Sequence, residues 1–193
     1  MGNNTSRVAV IGGGSWATAL AKLLLNNNAR ISWYLRKQDD INYFKSYKTN
    51  PRYLSAVEFD TEAIDFYDDI AACIQSADVL VLAIPSAFLH TTLQQLRPEQ
   101  LNNKIIFSAI KGIVPEHNLI VGEYLHKLHQ VPLESIGVIT GPCHAEEVAL
   151  EKLSYLTIAS LTTGNAKTVS GLLNCRYLNS TVSDDIYGTE YAA

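Results

Sequence analysis

The amino-acid sequence predicts an α/β fold with a doubly wound, mostly parallel sheet. Short apolar runs alternate with longer segments whose apolar residues recur at helical spacing. The short runs are apolar throughout rather than at every second residue, which is typical of strands covered on both faces. The chain has 193 residues, 47% of them hydrophobic, which is enough to bury a substantial core.

These patterns assign the elements in order along the chain. The predicted strands span residues 7–11, 30–35, 78–84, 104–110, 135–140, 155–160 and 176–182. The predicted helices span residues 15–27, 38–47, 67–76, 86–96, 118–129, 144–151 and 166–174. Residues 50–65 show neither period and are predicted to be irregular, and Ser183-Asp184-Asp185 predicts the start of one more helix.

Composition argues against several classes of protein. The net charge is −4 at pH 7, whereas a sequence-independent nucleic-acid binder needs a basic surface. Cys73, Cys143 and Cys175 form no Cys-x-x-Cys pair, which argues against a disulfide scaffold and a structural zinc site. No apolar run approaches the ~20 residues of a membrane helix, and the first residues do not resemble a signal peptide. We therefore expect a cytoplasmic protein that binds no metal, nucleic acid or membrane.

A glycine-rich turn follows the first predicted strand and opens the first predicted helix. Its residues, Gly12-Gly13-Gly14-Ser15-Trp16-Ala17, have the spacing G-x-G-x-x-A. Gly12 permits the tight turn, Gly14 lets the backbone approach a pyrophosphate, and Ala17 allows close contact between helix and strand. Backbone N–H groups at the helix start favour phosphate oxygens. The turn therefore predicts a Rossmann-type dinucleotide site, and a βα turn that binds nothing is the alternative.

The residues after the second predicted strand bear on the choice of dinucleotide. NAD enzymes often carry an acidic residue there for the ribose 2′-hydroxyl, whereas an arginine accommodates a 2′-phosphate. Here Arg36 and Lys37 follow the strand, and Asp39 and Asp40 come later. The basic pair favours, or at least tolerates, NADP. The alternative is that Arg36 stacks on adenine or faces solvent.

Further candidates follow the later strands, because ligands of open α/β sheets bind beyond the carboxyl ends of the strands. Pro85 comes after the strand at 78–84, and Lys111, followed by Gly112, comes after the strand at 104–110. A lysine in this position can hold a substrate oxygen, and the alternative is an ordinary exposed lysine.

The loop Gly141-Pro142-Cys143-His144 follows the next predicted strand and ends at a predicted helix start. Its backbone N–H groups suit an anionic or hydroxylated ligand. Cys143 is predicted to line the site rather than act as a nucleophile, because the adjacent His144 does not face it and no other base can be placed. Glu146 and Glu147 are predicted to complement the helix dipole.

Five ordered motifs along the chain together carry a family resemblance. They are Gly12-x-Gly14-Ser15-Trp16-Ala17-Thr18-Ala19-Leu20-Ala21, Asn50-Pro51-Arg52-Tyr53-Leu54, Lys111-Gly112-Ile113, Gly141-Pro142-Cys143-His144-Ala145-Glu146-Glu147-Val148-Ala149 and Asp185-Ile186-Tyr187-Gly188-Thr189-Glu190. The ordered set is more specific than any single member. On these motifs the chain resembles the N-terminal domain of bacterial NAD(P)-dependent glycerol-3-phosphate dehydrogenase.

The resemblance implies reversible hydride transfer with NADPH or NADH. In that reaction dihydroxyacetone phosphate is reduced to sn-glycerol 3-phosphate, the precursor of phospholipid backbones. The resemblance also implies that Lys111 contacts both cofactor and substrate, and that Gly141 and Cys143 line the substrate site. Together with the turn and Pro85, the predicted cofactor-binding residues are Gly12, Gly14, Ser15, Trp16, Ala17, Arg36, Lys37, Pro85, Lys111 and Ala145.

The chain departs from the family pattern at three side chains. The family more often has Gly at the position of Ala17, Ser or Thr at Cys143, and Phe at His144. Alanine is a tolerated variant of the glycine-rich fingerprint. The other two changes preserve the backbone role of the loop and alter its side-chain contacts.

The family's catalytic lysine lies in a Lys-Asn motif a few residues beyond Gly188-x-Glu190, and the sequence stops at Ala193 before it. We therefore predict a cofactor domain over residues 1–183 and the truncated start of a linker and helical domain over residues 184–193. No catalytic residue is predicted in this chain, and the chain alone is expected to bind cofactor without turnover. The parent protein is a candidate homodimer.

Two other hypotheses stay open from the sequence. One is another two-domain reductase of the ketopantoate or 6-phosphogluconate type, against which the Lys-Gly-Ile and Gly-Pro-Cys-His loops argue. The other is a stand-alone dinucleotide-binding module that does no chemistry, against which the unfinished C-terminus argues.

Overall fold

The computed structural model describes residues 6–192, so the predictions that concern residues 1–5 and residue 193 lie outside the described part. The strands are β1 (Val8–Ile11), β2 (Ile31–Tyr34), β3 (Ile64–Tyr67), β4 (Val79–Leu82), β5 (Ile105–Ser108), β6 (Ile113–Val114), β7 (Leu119–Ile120), β8 (Ile136–Thr140), β9 (Ser154–Ser160) and β10 (Leu178–Ser183). The helices are α1 (Ser15–Asn27), α2 (Gln38–Tyr47), α3 (Ile70–Gln75), α4 (Ser86–Leu93), α5 (Val121–His129), α6 (Ala145–Ala149), α7 (Thr163–Leu173) and α8 (Ile186–Tyr191).

Eight of these strands form one sheet in the order β10-β9-β8-β5-β4-β1-β2-β3. From β3 to β8 every neighbouring pair is parallel; β9 runs antiparallel to β8, and β10 is parallel to β9. The prediction of a doubly wound, mostly parallel sheet is therefore confirmed. The order reverses at β1, which lies between β2 and β4. Ligands of doubly wound sheets bind at such a switch point, beyond the carboxyl ends of the strands.

The sheet is buried on both faces, which explains why its strands are apolar throughout. In β1, Val8 and Val10 pack into one core with α1, whereas Ala9 and Ile11 pack into a second core on the opposite face. Helix α5 contributes to the second core through the fully buried Leu125. Covering helices on both sides thus fix the plane of the sheet and the position of its edge.

Two features were not predicted from the sequence. Strand β3 begins in the last two residues of the stretch predicted to be irregular and overlaps the first residue of the predicted helix at 67–76. That helix is α3, which begins only after Asp69, whose carboxylate accepts hydrogen bonds from the amides of Ala71 and Ala72. Strand β3 is a half-buried edge strand whose register comes from pairing with β2, so its own sequence shows little alternation.

The second unpredicted feature is a small antiparallel hairpin formed by β6 and β7. It occupies the beginning of the predicted helix at 118–129, so α5 starts three residues later, at Val121. The predicted start of a last helix is confirmed, because the Asp185 side chain accepts a hydrogen bond of 2.8 Å from the amide of Gly188 in α8. Among residues 6–192, no helix combines the length and apolarity needed to span a lipid bilayer.

Candidate functional site

The glycine-rich turn joins β1 to α1 at the switch point of the sheet. Gly12 has a φ of +136°, and a β-carbon there would overlap the carbonyl oxygen of Ala83 at the end of β4. The indole N–H of the buried Trp33 donates a 2.7 Å hydrogen bond to the Gly12 carbonyl. Only glycine fits this position, and β2 and β4 together hold its backbone in place.

The start of α1 is open to a ligand. Gly14 is the N-cap residue, and it provides no side-chain cap for the amides of the first turn. A β-carbon added to Gly14 would meet no atom within 4 Å, so the backbone here faces open space. The free amides and the helix dipole suit the oxygens of a pyrophosphate. The turn therefore fits the phosphate group of a dinucleotide.

A larger cavity, of about 720 Å³, lies beyond the carboxyl ends of β4, β5 and β8. Its floor is apolar, with Ile110 and Ile139 in the lining, and Lys111 brings a cation to its edge. The other lining residues are Gly14, Ser15, Trp16, Tyr53, Ala83, Ile84, Pro85, Ala109, Thr140, Gly141, Pro142, Cys143, His144, Ala145 and Glu146.

A smaller cavity, of about 260 Å³, lies on the β2 side of the glycine turn. It is lined by three cationic side chains and one carboxylate, from Arg36, Lys37, Arg52 and Asp40. The other lining residues are Gly12, Gly13, Gly14, Tyr34, Leu35, Tyr53, Ile84, Pro85, Phe88 and Thr92. Burial raises the pKa of Tyr34, so its phenol stays protonated at neutral pH.

The two cavities share four lining residues, which are Gly14, Tyr53, Ile84 and Pro85. They therefore form one cleft with the glycine turn at its middle. A glycine-rich turn flanked by two cavities matches the chemistry of a dinucleotide, whose central pyrophosphate joins two nucleosides. Among residues 6–192, no group of three or more histidine, cysteine, aspartate or glutamate residues is arranged to hold a metal ion.

The predicted site residues fall into this cleft with one exception. Gly12, Arg36 and Lys37 line the smaller cavity, and Gly14 and Pro85 line both. The predicted residues in the larger cavity are Ser15, Trp16, Lys111, Gly141, Cys143 and Ala145. Ala17 is fully buried in the core under α1 and lines neither cavity, a position that suits close packing of helix on sheet.

The loop between β8 and α6 is fixed by β9. The Cys143 thiol donates a 3.0 Å hydrogen bond to the carbonyl of Tyr155, so its sulfur is oriented by the neighbouring strand. A β-carbon at Gly141 would overlap that same carbonyl, so the loop can approach β9 only with glycine there. Glu146 and Glu147 lie in the first turn of α6, where they complement the helix dipole.

Sequence reasoning did not single out Arg52 and Tyr53 as site residues, although both line the cleft. They belong to the irregular stretch, which has no strand or helix period to place it. The resemblance at Asn50-Pro51-Arg52-Tyr53-Leu54 was the only signal that could have found them. Phe88 and Thr92, which lie on α4, were also not singled out, and Asp40 on α2 was considered only as an acidic residue that comes after Arg36 and Lys37.

Comparison with known proteins decides the family. The model of the N-terminus of NAD-dependent glycerol-3-phosphate dehydrogenase matches residues 7–166. The chain belongs to this family. Six of the seven predicted strands and the glycine turn lie inside the matched range.

Individual glycerol-3-phosphate dehydrogenases agree with the family match. The NAD(P)+ enzyme of Ectopseudomonas mendocina is 34% identical over 183 residues, which is 95% of this chain and 53% of that protein. The enzyme of Pseudomonas savastanoi pv. phaseolicola is 31% identical over 95% of this chain and 52% of its own length. The chain thus spans about half the length of the curated relatives it matches.

Solved structures give the same result for the fold. The crystal structure of glycerol-3-phosphate dehydrogenase from Coxiella burnetii matches with a TM-score of 0.86 and 26% identity, over 96% of this chain and 56% of that one. An imine reductase from Myxococcus stipitatus matches with a TM-score of 0.68 and 12% identity, over 97% of this chain and 57% of that one, which shows a shared fold alone.

Proposed function

We propose that this chain is the cofactor-binding domain of a glycerol-3-phosphate dehydrogenase and that it binds NADPH or NADH. One observation carries the proposal: the glycine turn lies where the two cavities meet, with the open N-terminus of α1 facing both. The names of the relatives, which include NAD(P)+, support the choice of ligand.

The lining of each cavity suggests how the dinucleotide lies. The adenosine half occupies the smaller cavity, where Arg36 and Lys37 are among the lining residues and would meet a phosphate on the ribose. The pyrophosphate lies against the backbone of Gly14 and Ser15. The nicotinamide half occupies the larger cavity, whose lining includes Pro85 and Ala145.

The reaction proposed for the parent protein is the reduction of dihydroxyacetone phosphate to sn-glycerol 3-phosphate, which supplies phospholipid synthesis. The nicotinamide supplies the hydride when it is bound. Lys111 brings its ammonium group to the larger cavity, where it can bind the carbonyl oxygen of the substrate and stabilise the negative charge that develops there. Gly141 and Cys143 shape the wall on which the substrate rests.

We further propose that this chain binds cofactor without turning over. The family's catalytic lysine lies in a Lys-Asn motif, and no Lys-Asn pair occurs in the 193 residues. Residues 1–183 then form the cofactor domain and residues 184–193 begin the linker to a helical domain. In this proposal that second domain supplies the proton donor, the phosphate contacts and the parent's homodimer interface, and the parent works in the cytoplasm.

A fluorescence titration of the purified chain with NADPH and with NADH tests the proposal. We expect saturable binding of both nucleotides. Because Lys111 is proposed to contact the cofactor as well as the substrate, Lys111→Ala should weaken nucleotide binding about 5- to 10-fold, as expected for loss of one charge-assisted contact. The matched control is Lys167→Ala, an exposed lysine on α7 that lines neither cavity and should leave binding unchanged.

Two results would contradict the proposal. Failure of either nucleotide to bind the wild-type chain would remove the cofactor site. Oxidation of NADPH by the chain in the presence of dihydroxyacetone phosphate, at rates typical of enzymes, would show that catalysis does not need the Lys-Asn motif.

A further inference from the structure

A single buried amide attaches the irregular segment at residues 50–53 to the glycine turn. Asn50 is 3% exposed. Its side-chain N–H groups donate to the carbonyl of Gly13 at 3.2 Å and to the hydroxyl of Thr18 at 2.8 Å. Its side-chain oxygen accepts hydrogen bonds from the amides of Arg52 and Tyr53 at 2.9 and 3.1 Å. The full hydrogen-bonding capacity of the amide is used, so the segment is held in one position.

This attachment brings to the cleft two side chains that belong to no strand or helix. Tyr53 lines both cavities, next to the turn that Asn50 holds. Arg52 lines the smaller cavity together with Arg36 and Lys37. Three cations therefore surround the place where the adenosine ribose is proposed to lie.

The one carboxylate of the smaller cavity is already engaged. Asp40, in the first turn of α2, forms an ion pair with the guanidinium of Arg52. An acidic side chain in this cavity would ordinarily accept a hydrogen bond from a free ribose 2′-hydroxyl. Here its oxygen instead binds one of the five N–H groups of Arg52, which leaves other donors of the planar guanidinium for a second anion.

We propose that Arg52 is a specificity-determining residue that favours a dinucleotide with a phosphate on its adenosine ribose. Asn50 is the positioning residue that holds Arg52 at the cavity, and Asp40 restrains the guanidinium in the free protein. A 2′-phosphate carries up to two negative charges and accepts several charge-assisted hydrogen bonds, whereas a 2′-hydroxyl gains little from a third cation. The inference rests on the proposed cofactor function and adds to it the residue that distinguishes the two nucleotides.

The test measures Kd for NADPH and for NADH in the same buffer. The quantity compared between variants is the ratio Kd(NADH)/Kd(NADPH), which increases with the preference for NADPH. Arg52→Ala should weaken NADPH about 5- to 20-fold, the range for one partly exposed charge-assisted contact, and change NADH less than twofold. Arg52→Lys keeps the charge and loses the planar fork, so it should recover only part of that loss. Asp40→Asn should shift the ratio toward NADPH by about 2- to 5-fold, because it frees Arg52.

The matched control is Arg30→Ala. Arg30 also forms an exposed ion pair, with Asp65, but it precedes the amino end of β2, and it lines neither cavity. Its removal should leave the ratio of the two Kd values unchanged.

The positioning role has its own readout. Asn50→Ala should weaken both nucleotides and also lower the preference for NADPH, because it releases Arg52 from the cavity. The matched control is Asn28→Ala, another buried amide, whose N–H bonds the carbonyl of Leu24 at 2.6 Å away from the cleft. Asn28→Ala should lower stability without changing the ratio of the two Kd values. If Asn50 had only a structural role, Asn50→Ala would likewise lower stability and leave that ratio unchanged.

The outcomes separate this inference from the proposed function. If both nucleotides bind and Arg52→Ala leaves their ratio unchanged, the inference is overturned and the cofactor domain stands. A fall in the ratio with Arg52→Ala and a rise with Asp40→Asn support it. If neither nucleotide binds the wild-type chain, the proposed function and the inference fall together.

Discussion

The two cavities of the cleft are built in different ways. Residues that directly follow β4, β5 and β8 line the larger cavity, so the sheet itself sets their positions. The smaller cavity also has lining residues that follow strands, but Arg52 reaches it from a segment that follows no strand and that the side chain of Asn50 holds. A sheet edge is stiff because hydrogen bonds on both sides hold each strand, whereas a loop depends on a few side-chain contacts.

This difference indicates which lining residues can be substituted without disturbing the sheet. A loop that is anchored through one amide can exchange Arg52 for another residue without disturbing the sheet. The residues beyond the strand ends can change only within the space that the strands leave, as Gly141 illustrates with its close approach to β9. We therefore expect nucleotide preference to vary through the smaller cavity and the reaction to depend on the larger one.

The largest expected effect abolishes binding in both cavities, because the substitution distorts the glycine turn where the two cavities meet. Gly12→Ala places a methyl group against the Ala83 carbonyl and a side chain at a φ of +136°. We expect it to destabilise the protein by more than about 4 kcal/mol and to abolish binding of both nucleotides. Thermal unfolding and the nucleotide titration measure the two effects.

Two other glycines serve as controls for that prediction. A methyl group at Gly171 in α7 meets nothing within 4 Å, so Gly171→Ala should preserve both folding and binding. Gly14→Ala also meets no protein atom, yet it intrudes on the proposed phosphate position and should weaken binding while stability is kept. Wild-type binding by Gly12→Ala would show that the backbone of the turn does not contact the nucleotide.

The next largest effect concerns Glu190, which lies outside both cavities and is expected to change stability without changing nucleotide binding. Glu190 on α8 is buried, and its carboxylate accepts hydrogen bonds of 3.1 and 3.2 Å from the amide of Gly122 at the start of α5. Burial raises its pKa from 4.5 to about 7, against the opposing effect of those hydrogen bonds. The proton is therefore bound more tightly in the folded state than in the unfolded state.

The sign of the pH dependence follows from linkage. The contribution of Glu190 is fully favourable below pH 4.5 and is lost as the pH rises through about 7, a change of about 3 kcal/mol in the free energy of unfolding. Glu190→Gln keeps an oxygen that can accept from Gly122 and should remove this slope. Urea unfolding at several pH values between 5 and 8 measures it.

A second titrating group provides the internal reference for that measurement. Burial and the nearby His90 lower the pKa of His129, so its contribution is present above pH 6.5 and is lost as the pH falls. Both the wild type and Glu190→Gln contain His129 and share its opposite pH dependence. The difference between their free energies of unfolding at each pH therefore isolates the contribution of Glu190. Equal slopes in the two proteins would contradict the assignment, as would a change in nucleotide affinity at pH 8.

The smallest of the three effects tests the support beneath the turn. Trp33→Phe removes the 2.7 Å hydrogen bond to the Gly12 carbonyl and leaves a small void among Phe44, Phe59 and Phe66. We expect a loss of about 2 kcal/mol in the free energy of unfolding, from an unpaired buried carbonyl and the void together. Denaturant unfolding measures it.

The same variant also bears on the two cavities. Because Gly12 supports the wall they share, Trp33→Phe should weaken NADPH and NADH by similar factors and leave their ratio near the wild-type value. Arg52→Ala is expected to change that ratio. A strong shift of the ratio in Trp33→Phe would show that the turn, rather than the loop at 50–53, sets the preference.

Much of the fold could be predicted because its signals are local. The uniform apolar character of β1 and β4 predicted strands buried on both faces, and the spacing of apolar residues gave α1 its observed bounds. The glycine turn was recognisable because a tight turn and a helix start depend on a few adjacent residues. Lys111 and Cys143 could be predicted from their places just after buried strands, since the carboxyl ends of parallel strands meet at one edge of the sheet.

The features that the sequence did not reveal depend on contacts between distant residues. Strand β3 exists because β2 offers it a pairing edge, and the β6–β7 hairpin includes the first residues of a stretch predicted as helix. Arg52 belongs to the cleft only because Asn50 bonds to Gly13, 37 residues earlier. The cap on α5 comes from Glu190, 68 residues after Gly122.

The sequence by itself thus determined the class of fold, the glycine-rich turn and the residues at the strand ends, because each is encoded in neighbouring residues. Only the tertiary structure decided which loop brings Arg52 to the smaller cavity, which carboxylate is engaged by an arginine, and which glutamate is buried at a helix start. A hydrogen bond between residues far apart in the sequence forms only after the sheet has brought its partners together. The local sequence around either partner therefore does not predict it.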